Sequence, residues 1–182
     1  MTIASRDETT LRQACETDLP RILEITYICY EPIQNSFVSI VGDELYEGVI
    51  RKPTGLTWQQ RKEKQIRSLI ASHPEWIWVL DNGTEIIGYV SFTLVPDRKL
   101  GEIDNNGVHP DHAGEGWATF MYRHVLDYFR ENGIRFAFVE TELDDAHIPA
   151  RRAYEAVGFD RPQKLVHYWQ DLDKHNPGSD PE

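Results

Sequence analysis

The segment 100–139 constrains the fold most, because it reads as a strand, a glycine-containing loop, a helix and a second strand. Two strands of one sheet that are joined by a helix are parallel, with a right-handed crossover. Earlier in the chain, the tripeptide Asp-Asn-Gly at 81–83 predicts a tight turn between strands 76–80 and 85–95, and a hairpin pair is antiparallel. The sequence therefore predicts a mixed sheet with helices packed on its faces.

The other elements follow from apolar periodicity, caps and helix breakers. A short strand at 10–14 precedes a helix that begins after the cap Thr17-Asp18 and is predicted to stop at Glu31-Pro32. Residues 31–55 are ambiguous, and a poorly capped helix is expected within them at 37–50. The remaining predicted elements are helix 58–72, strand 100–108, helix 114–131, strand 136–139 buried on both faces, helix 148–157 and a last strand 165–172.

The length of 182 residues suits one domain, and the 40% hydrophobic content is enough for a sizeable core. We expect a disordered N-terminus at 1–8, a single domain at 9–173 and a flexible C-terminal tail at 174–182. The sequence has no run of about 18 apolar residues, and its first ten residues lack the order of a secretory signal. The predicted location is therefore cytoplasmic, with no membrane partner.

The charge balance narrows the class of partner. Nineteen basic and 30 acidic residues give a net charge of −11, which repels phosphate backbones and predicts no nucleic acid partner. The same charge favours cationic or amine substrates, although it could serve solubility alone. Cys15 and Cys29 are the only cysteines, so neither a disulfide framework nor a four-cysteine zinc site is expected, and no metal is predicted. Cys29 reads as a buried free thiol.

Residues 108–119, VHPDHAGEGWAT, form the loop that leads from a strand into a helix. Gly114, Gly116 and Ala118 alternate along it and keep bulky side chains away from the backbone. A helix start offers unpaired N–H groups and a partial positive charge, so the loop suits a phosphate or pyrophosphate, unless it is only a tight turn. Thr119 occupies the third small position of a dinucleotide fingerprint, and the Gly-Lys-Ser/Thr of a Walker loop is absent. Any phosphate is therefore bound in another way.

A second segment, HIPARRAYEAVGF at 147–159, reads as a short helix that ends at a glycine. Together the two segments resemble the GNAT superfamily of acetyl-CoA-dependent N-acetyltransferases. Residues 9–172 also follow the family's order of strands and helices. The resemblance implies an α/β (α+β) fold with a mixed, mostly antiparallel sheet of six to seven strands and helices on both faces. The matching positions are Val108, Pro110, Gly114, Gly116 and Ala118 in the loop and Ala150, Tyr154, Gly158 and Phe159 in the later helix.

The resemblance also implies a site for acetyl-CoA as co-substrate. Its expected residues are Val108, Ala113, Gly114, Glu115, Gly116, Trp117, Ala118, Thr119, His147 and Arg151. Two of these positions depart from the family pattern, since Ala113 stands where Arg or Gln is usual and His147 stands where Asn is usual. The charge near the pyrophosphate is then missing, unless it is replaced by Arg151, Arg152, His109 or His112.

The implied reaction is direct attack of an amine on the acetyl thioester within a ternary complex. An amine with a pKa of about 10 must lose a proton, so a general base is useful. Glu102 is the candidate, because some members of the family carry a Glu six residues before the loop's Val, and the alternative is a solvent-facing strand residue. Glu140 and Glu142 could bind the cation or act through water, and Asp104 is a further carboxylate on the strand.

The thioester end of the reaction needs an oxyanion donor and an acid. The family resemblance assigns the first role to the backbone N–H of Val108 and the second to the phenol of Tyr154, which would protonate the leaving thiolate. The alternative for Tyr154 is a core aromatic. The resemblance also implies an acceptor pocket formed by residues 27–60 and the last strands, with Tyr27 and Tyr30 as lining candidates.

Three hypotheses for function therefore stand. The first is an N-acetyltransferase that acts on a small cationic amine or a peptide α-amine. The second is a non-catalytic module that senses acyl-CoA, and the third is an interaction domain with a decayed site. Because members of the family often form dimers, the resemblance also allows a homodimer.

Overall fold

The computed structural model describes residues 1–174 and contains one sheet whose six strands lie side by side in chain order. Its first five strands pair antiparallel, and the last two pair in parallel. The predicted mixed, mostly antiparallel sheet is confirmed. The predicted tail at 174–182 lies outside the described residues, apart from Lys174. The strands are β1 Thr2–Arg6, β2 Thr9–Gln13, β3 Ile77–Asp81, β4 Ile86–Val95, β5 Leu100–Val108 and β6 Phe136–Val139.

Helices cover both faces of the sheet, as predicted. They are α1 Leu19–Val41, α2 Asp43–Leu45, α3 Trp58–Ser72, α4 Trp117–Glu131 and α5 Ile148–Ala156, and a π-helical stretch Tyr46–Arg51 follows α2. A capping box begins α3, because the Thr57 hydroxyl accepts from the Gln60 N–H and the Gln60 side chain accepts from the Thr57 N–H. Across residues 1–174, no helix combines the length and the apolar content that a bilayer crossing demands.

The strand β3 shows how the two faces are filled. Ile77 and Val79 pack with α1 and α3, whereas Trp78 and Leu80 pack with α4. All four side chains are buried, since alternate residues of a strand point to opposite faces. A fully buried side chain of this kind contributes about 1.5–3 kcal/mol to stability, so the two apolar layers hold the helices to the sheet.

Helix α1 runs straight through the predicted stop at Glu31-Pro32, so that prediction is wrong. Proline removes one backbone hydrogen bond from a helix interior. The helix is held on both sides of Pro32: Tyr30 contacts β5, and the Ser36 hydroxyl donates to the carboxylate of Asp144. The helix expected at 37–50 is instead shared among the end of α1, α2 and the π-helical stretch.

The predicted disorder of residues 1–8 is also wrong, because this segment contains β1. The strand bonds to β2 along its length, and Ile3 and Ala4 pack against the apolar layer beneath α4. The Arg6 guanidinium stacks 3.5 Å from the ring centroid of Trp117. A distant aromatic ring and a neighbouring strand supply the order that the polar local sequence does not indicate.

The C-terminal part of the chain departs from prediction in a related way. No strand forms at 165–172, where Tyr168 is 91% exposed, so the predicted last strand is wrong. Strand β6, predicted to be buried on both faces, is instead one of the two edge strands of the described sheet. Its aromatic side chains, Phe136 and Phe138, are 53% and 43% exposed. Strand-favouring residues form a strand only where a partner strand is available, and β6 has a strand neighbour on one side alone among the described residues.

A bulge divides β5 into two halves. Val90 of β4 lies opposite Asn106, but Phe92 lies opposite Ile103, so β5 carries one extra residue between these two pairs. Before the bulge, Asp104 bonds to a β4 hydroxyl on the α3 face of the sheet. After it, the Asn106 side chain contacts Tyr154 on the α5 face. The extra residue therefore changes which even-numbered side chains face which helices.

Candidate active site

The sheet opens where β5 extends beyond the end of its pairing with the parallel strand β6. The ladder between β5 and β6 ends at the pair Ile103 and Val139, while β5 stays paired with β4 as far as Val108. Residues 104–108 therefore have one backbone edge without a strand partner among the described residues, and we call it the open edge. It lies directly before the glycine loop, so a ligand held by the loop can reach it.

Two backbone N–H groups, those of Asn106 and Val108, point into the open edge. Their neighbours point the other way, toward β4: the N–H of Asn105 bonds to a β4 hydroxyl at 2.9 Å and that of His109 to a β4 carbonyl at 2.8 Å. Because successive N–H groups of a strand alternate in direction, those of Asn106 and Val108 point away from β4. The Tyr30 hydroxyl accepts weakly from Asn106 N, at 3.4 Å. The Val108 N–H has the orientation that an oxyanion donor needs.

Tyr154 reaches the same place from α5. Its side chain is 6% exposed, and its hydroxyl accepts from Asn106 Nδ2 at 3.1 Å. Tyr122 donates its hydroxyl proton to Asn106 Oδ1 at 2.6 Å, which fixes the orientation of this amide. Burial raises the pKa of Tyr154, opposed by the hydrogen bonds with Asn106 and Tyr122. The phenol is therefore protonated at neutral pH, and its own O–H can donate to a ligand.

The glycine loop presents a helix start to solvent. Gly114 and Gly116 have φ angles of 81° and 79°, in the left-handed region that favours glycine. Helix α4 begins at Trp117, and its first internal bond runs from Phe120 N to Gly116 O at 3.0 Å. The three N–H groups of residues 117–119 are thus left without a partner inside the helix. Loop and helix dipole together suit an anion.

Arg6 brings a positive charge to this loop from β1. Its Nη2 donates to the carbonyl of Glu115 at 3.0 Å, and its guanidinium stacks on Trp117. Trp117 in turn donates its indole N–H to the Glu115 carboxylate at 2.7 Å. Ala113 itself carries no charge, and Arg6, which is 109 positions from Glu115 in sequence, places a guanidinium beside the loop.

His147 and Arg151, which we expect at the coenzyme, both have hydrogen-bond partners within the chain. His147 is 9% exposed, and its Nδ1 bonds to the Asp144 carboxylate, which also accepts from the Ser36 hydroxyl. Burial acts to raise the pKa of Asp144, but the bonds from Ser36 and His147 outweigh it and lower the pKa. Arg151 donates to the backbone carbonyls of Asp144 and Glu142. Both side chains therefore hold the segment before α5.

Ligand atoms of Glu142, Asp144 and His147 lie within 4.8 Å of one another, which is close enough to hold a metal ion. The Asp144 carboxylate is already bonded by Ser36 and His147. The Arg151 guanidinium also lies against this segment, and its positive charge opposes a cation. This arrangement is sufficiently explained as the anchor between α1 and the start of α5.

The predicted carboxylates differ in position. Glu102 and Asp104 share the α3 face of β5, where Asp104 Oδ2 accepts from the Thr93 hydroxyl at 2.8 Å. Burial raises the pKa of both, and repulsion by Asp104 and then Glu140 adds to it at Glu102. Glu102 lies on the part of β5 that is still paired with β6, before the open edge. Glu140 and Glu142 are exposed.

A cavity of about 290 Å³ lies between α3 and the neighbouring strands β4 and β5. Its lining is mainly hydroxyl and amide groups with one carboxylate. The lining residues are Gln65, Ser68, Leu69, Ser72, Ser91, Thr93, Asp104 and Asn105. Tyr30 contacts the open edge at the Asn106 N–H, whereas Tyr27 packs edge-on against Trp58, 5.8 Å between ring centroids, and belongs to the contact between α1 and α3.

Lys62 lies on the inward face of α3, and the sequence reasoning missed it. Its Nζ is 2.5 Å from Asn105 Oδ1 and 4.3 Å from the Tyr30 ring centroid. Burial lowers its pKa to about 8, against the attraction of Asp104. The available signal was helical periodicity, since Lys62 precedes the buried Ile66 by one turn. Arg6, Asn106 and Tyr122 were also missed, and no local pattern marks them.

The arrangement is that of an α/β domain in which a mixed sheet opens beside a glycine loop and an exposed helix start. The sequence model of the acetyltransferase (GNAT) family matches residues 42–159, more than half of the chain, and the chain belongs to this family. A curated mouse protein, probable N-acetyltransferase family 8 member 5, is 30% identical over 102 residues, which cover 54% of this chain and 44% of that protein. The matched region thus spans less than half the length of this relative.

Solved structures agree on the fold. The ribosomal-protein-S18-alanine N-acetyltransferase of Escherichia coli has a TM-score of 0.59 at 17% identity, covering 91% of this chain and 86% of its own. A GNAT family acetyltransferase of Brucella melitensis, solved in complex with acetyl-CoA, has a TM-score of 0.55 at 18% identity, covering 88% and 96%.

Proposed function

We propose that this chain transfers the acetyl group of acetyl-CoA to a primary amine, either a small cationic amine or a peptide α-amine, by direct attack in a ternary complex. The observation that carries the proposal is the open edge of β5, where the Val108 N–H and the Tyr154 hydroxyl are adjacent to an anion-binding helix start. Membership of the family supports acetyl transfer, and a neighbour in complex with acetyl-CoA supports the choice of donor.

The coenzyme binds first by its diphosphate. The N–H groups of residues 117–119 and the turn made by Gly114 and Gly116 hold it, and the Arg6 guanidinium neutralises part of its charge. The thioester then extends along the open edge toward Tyr154. In this arrangement the backbone supplies most of the contacts, which explains why the sequence tolerates Ala113.

The chemistry needs one donor for each developing negative charge. The Val108 N–H donates to the carbonyl oxygen as it becomes an oxyanion. The Tyr154 phenol gives its proton to the departing sulfur, because its hydroxyl accepts from Asn106 and keeps its own proton free. The Tyr122 hydroxyl orients the Asn106 amide and its ring packs against that of Tyr154, so we assign Tyr122 as a positioning residue.

The state of Cys29 favours direct attack over an acetyl-enzyme route. Its thiol donates to the Val108 carbonyl at 3.3 Å, and burial raises its pKa to about 11. The thiolate is the nucleophilic form of cysteine, and at neutral pH very little of it exists here. Although Cys29 is close to the open edge, it is a poor acceptor of an acetyl group.

The acceptor enters the cavity between α3 and β5. Asp104 lies in its wall and Glu102 is next to Asp104 on the same face, so the cavity has an acidic side that attracts a cation. The hydroxyl and amide lining suits an acceptor with several polar groups. Of the carboxylates in the sequence prediction, Glu102 and Asp104 are the pair that we assign to the amine's charge, ahead of the exposed Glu140 and Glu142.

The test is release of thiol from acetyl-CoA on mixing with a panel of amines. The panel contains polyamines, aminoglycosides, amino acids and short peptides with free α-amines, and acetylated product is identified by mass spectrometry. We expect amine-dependent release of thiol for at least one class. Stabilisation by acetyl-CoA without any amine-dependent release would instead support the sensor hypothesis, and no stabilisation would contradict both.

Replacing Arg6 tests the coenzyme end. Arg6→Ala removes a charge-assisted contact of about 1.5 kcal/mol, so the Kd of acetyl-CoA should rise roughly tenfold in calorimetric titration. Arg130→Ala is the matched control, because it removes the same charge from the exposed far end of α4. Equal affinities for Arg6→Ala and the unaltered chain would mean that Arg6 serves only to anchor β1.

A further inference from the structure

We propose that Lys62 of α3 is the general base that takes a proton from the acceptor amine. The inference rests on the proposed function and assigns a step of its reaction to a residue outside the sequence prediction. It stands on the position of Nζ, which is bonded to Asn105 of the open edge and lies over the ring of Tyr30.

The open edge is approached from both faces of the sheet. Tyr154 comes from the α5 face, where it bonds to the side chain of Asn106. Lys62 and Tyr30 come from the α3 and α1 face, where they contact Asn105 and the backbone N–H of Asn106. A nucleophile and a leaving group must occupy different positions around the same carbonyl carbon. The two faces supply a proton acceptor for the first and a proton donor for the second.

Asn105 links Lys62 to the acceptor cavity. This residue is 4% exposed, lines the cavity and accepts a hydrogen bond from Nζ. An amine seated beside Asn105 in the cavity is therefore separated from Nζ of Lys62 by this one side chain. Glu102 is less well placed for this step, because it lies opposite Phe138 on the paired part of β5, before the open edge.

The charges around Lys62 leave its amine able to lose a proton. Burial lowers its pKa to about 8, Arg61 of the same helix lowers it further, and Asp104 of β5 opposes both. From α1 the neighbouring group is the Tyr30 phenol, whose pKa is raised by burial, so it carries no negative charge at neutral pH. Nζ is consequently neutral in a substantial fraction of molecules near pH 8, and a base works best when its pKa is near the working pH.

The protons balance as follows. The acceptor enters as R–NH3⁺ and gives one proton to neutral Nζ, and the free amine then forms the N–C bond to the acetyl carbon. When the C–S bond breaks, Tyr154 gives its proton to sulfur and regains one from the acylated nitrogen, which becomes the amide. Nζ returns its proton to solvent. The net products are the amide, the free thiol and one proton.

The experiment compares Lys62→Met and Lys62→Arg, with Lys64→Met as the control, since Lys64 is an exposed lysine on the same helix. With an amine that the panel identifies, both Lys62 variants should lose roughly 10²–10⁴-fold in kcat, because arginine keeps the charge but cannot accept a proton. Their Kd for acetyl-CoA and their unfolding temperatures should stay close to those of the unaltered chain. In the pH profile of the unaltered chain, kcat should fall below about pH 8. This acid limb of the profile should be absent in the variants.

A second measurement is independent of turnover. Competitive labelling with acetic anhydride across pH, read by peptide mass spectrometry, reports the titration of Lys62 beside that of Lys64. The proposal is overturned if Lys62 titrates together with Lys64 near pH 10, if Lys62→Arg retains kcat, or if the acid limb persists in Lys62→Met. If labelling gives a midpoint near 8 but no amine is acetylated, then the proposed function fails and the base assignment fails with it. The labelling result then shows that the failure does not lie in the titration of Lys62.

Discussion

Tyr154→Phe should lower kcat for acetyl transfer by roughly 10²-fold or more while leaving the Kd of acetyl-CoA nearly unchanged. The substitution keeps the ring, which packs 5.0 Å from Tyr122 between centroids, and removes only the hydroxyl that we assign to protonating the sulfur. Asn106 Nδ2 loses one acceptor but still donates to the Asp104 carbonyl at 3.1 Å, so the stability cost should be about 1 kcal/mol. Steady-state kinetics and calorimetric titration measure the two quantities.

Tyr128→Phe is the matched control, because Tyr128 lies on α4 among Trp78 and Phe92, away from the open edge. It should leave kcat unchanged. The acid role also predicts that Tyr154→Phe loses less activity with an acyl donor whose leaving thiol is more acidic, since such a thiolate needs protonation less. Full activity of Tyr154→Phe with acetyl-CoA would remove Tyr154 from this role and leave it as a core aromatic.

Asp18→Ala should lower the free energy of unfolding by about 3 kcal/mol, the largest stability effect that we expect. The Asp18 side chain is 8% exposed and binds Arg12 through both oxygens, at 2.7 and 3.0 Å. It also accepts from the Cys15 N–H at 2.9 Å. Removing it leaves Arg12 with Asp81 as its remaining carboxylate partner, and losing one member of a buried ion pair is costly. Denaturant unfolding at pH 7 measures the change.

The same variant should change the pH dependence of stability. Burial acts to raise the pKa of Asp18, but hydrogen bonds from Arg12 and Cys15 outweigh it, so the pKa is lowered on folding. A carboxyl with a lowered pKa stabilises the fold above the unfolded value of about 3.9, and this contribution is lost as the pH falls. The gap between the unaltered chain and Asp18→Ala should therefore narrow below about pH 4. Asp127→Ala, which breaks an exposed pair, should cost under about 1 kcal/mol at either pH, and an equal loss from both variants would contradict the argument.

Local sequence patterns predicted the elements whose causes are local. The turn at 81–83, the helix at 58–72 and the order from strand through glycine loop to helix at 100–139 are all as predicted. In each case a few adjacent residues carry the cause, such as a hydroxyl that caps a helix or a glycine at a positive φ. The family resemblance then supplied the topology, which six short strands alone do not determine.

The errors concern segments whose state depends on distant partners. Helix α1 continues through Pro32 because contacts before and after it hold both halves. The N-terminal segment is ordered by β2 and Trp117, whereas 165–172 has strand-favouring residues but no strand beside it in the described sheet. Intrinsic propensity indicates which secondary structures a segment can adopt, and tertiary packing determines which of them it adopts.

The candidate site divides in the same way. The loop glycines and Tyr154 belong to local motifs, so sequence reasoning found them. Lys62 meets Asn105 across 43 positions and Arg6 meets Glu115 across 109, so the neighbouring residues in sequence do not reveal these partners. His147 and Arg151 carry side chains that fit a coenzyme, yet nearby acceptors already engage them.

The single extra residue in β5 decides which face of the sheet each later side chain of the candidate active site points to. Consecutive side chains of a strand alternate faces, so a one-residue deletion between Ile103 and Asn106 would invert every position that follows. Val108 would turn toward α1, and the amide that steadies Tyr154 would move to the wrong face. Designers who wish to transplant this centre onto another sheet must therefore copy an irregularity along with the side chains, because an ideal strand cannot serve two opposed helical layers in this way.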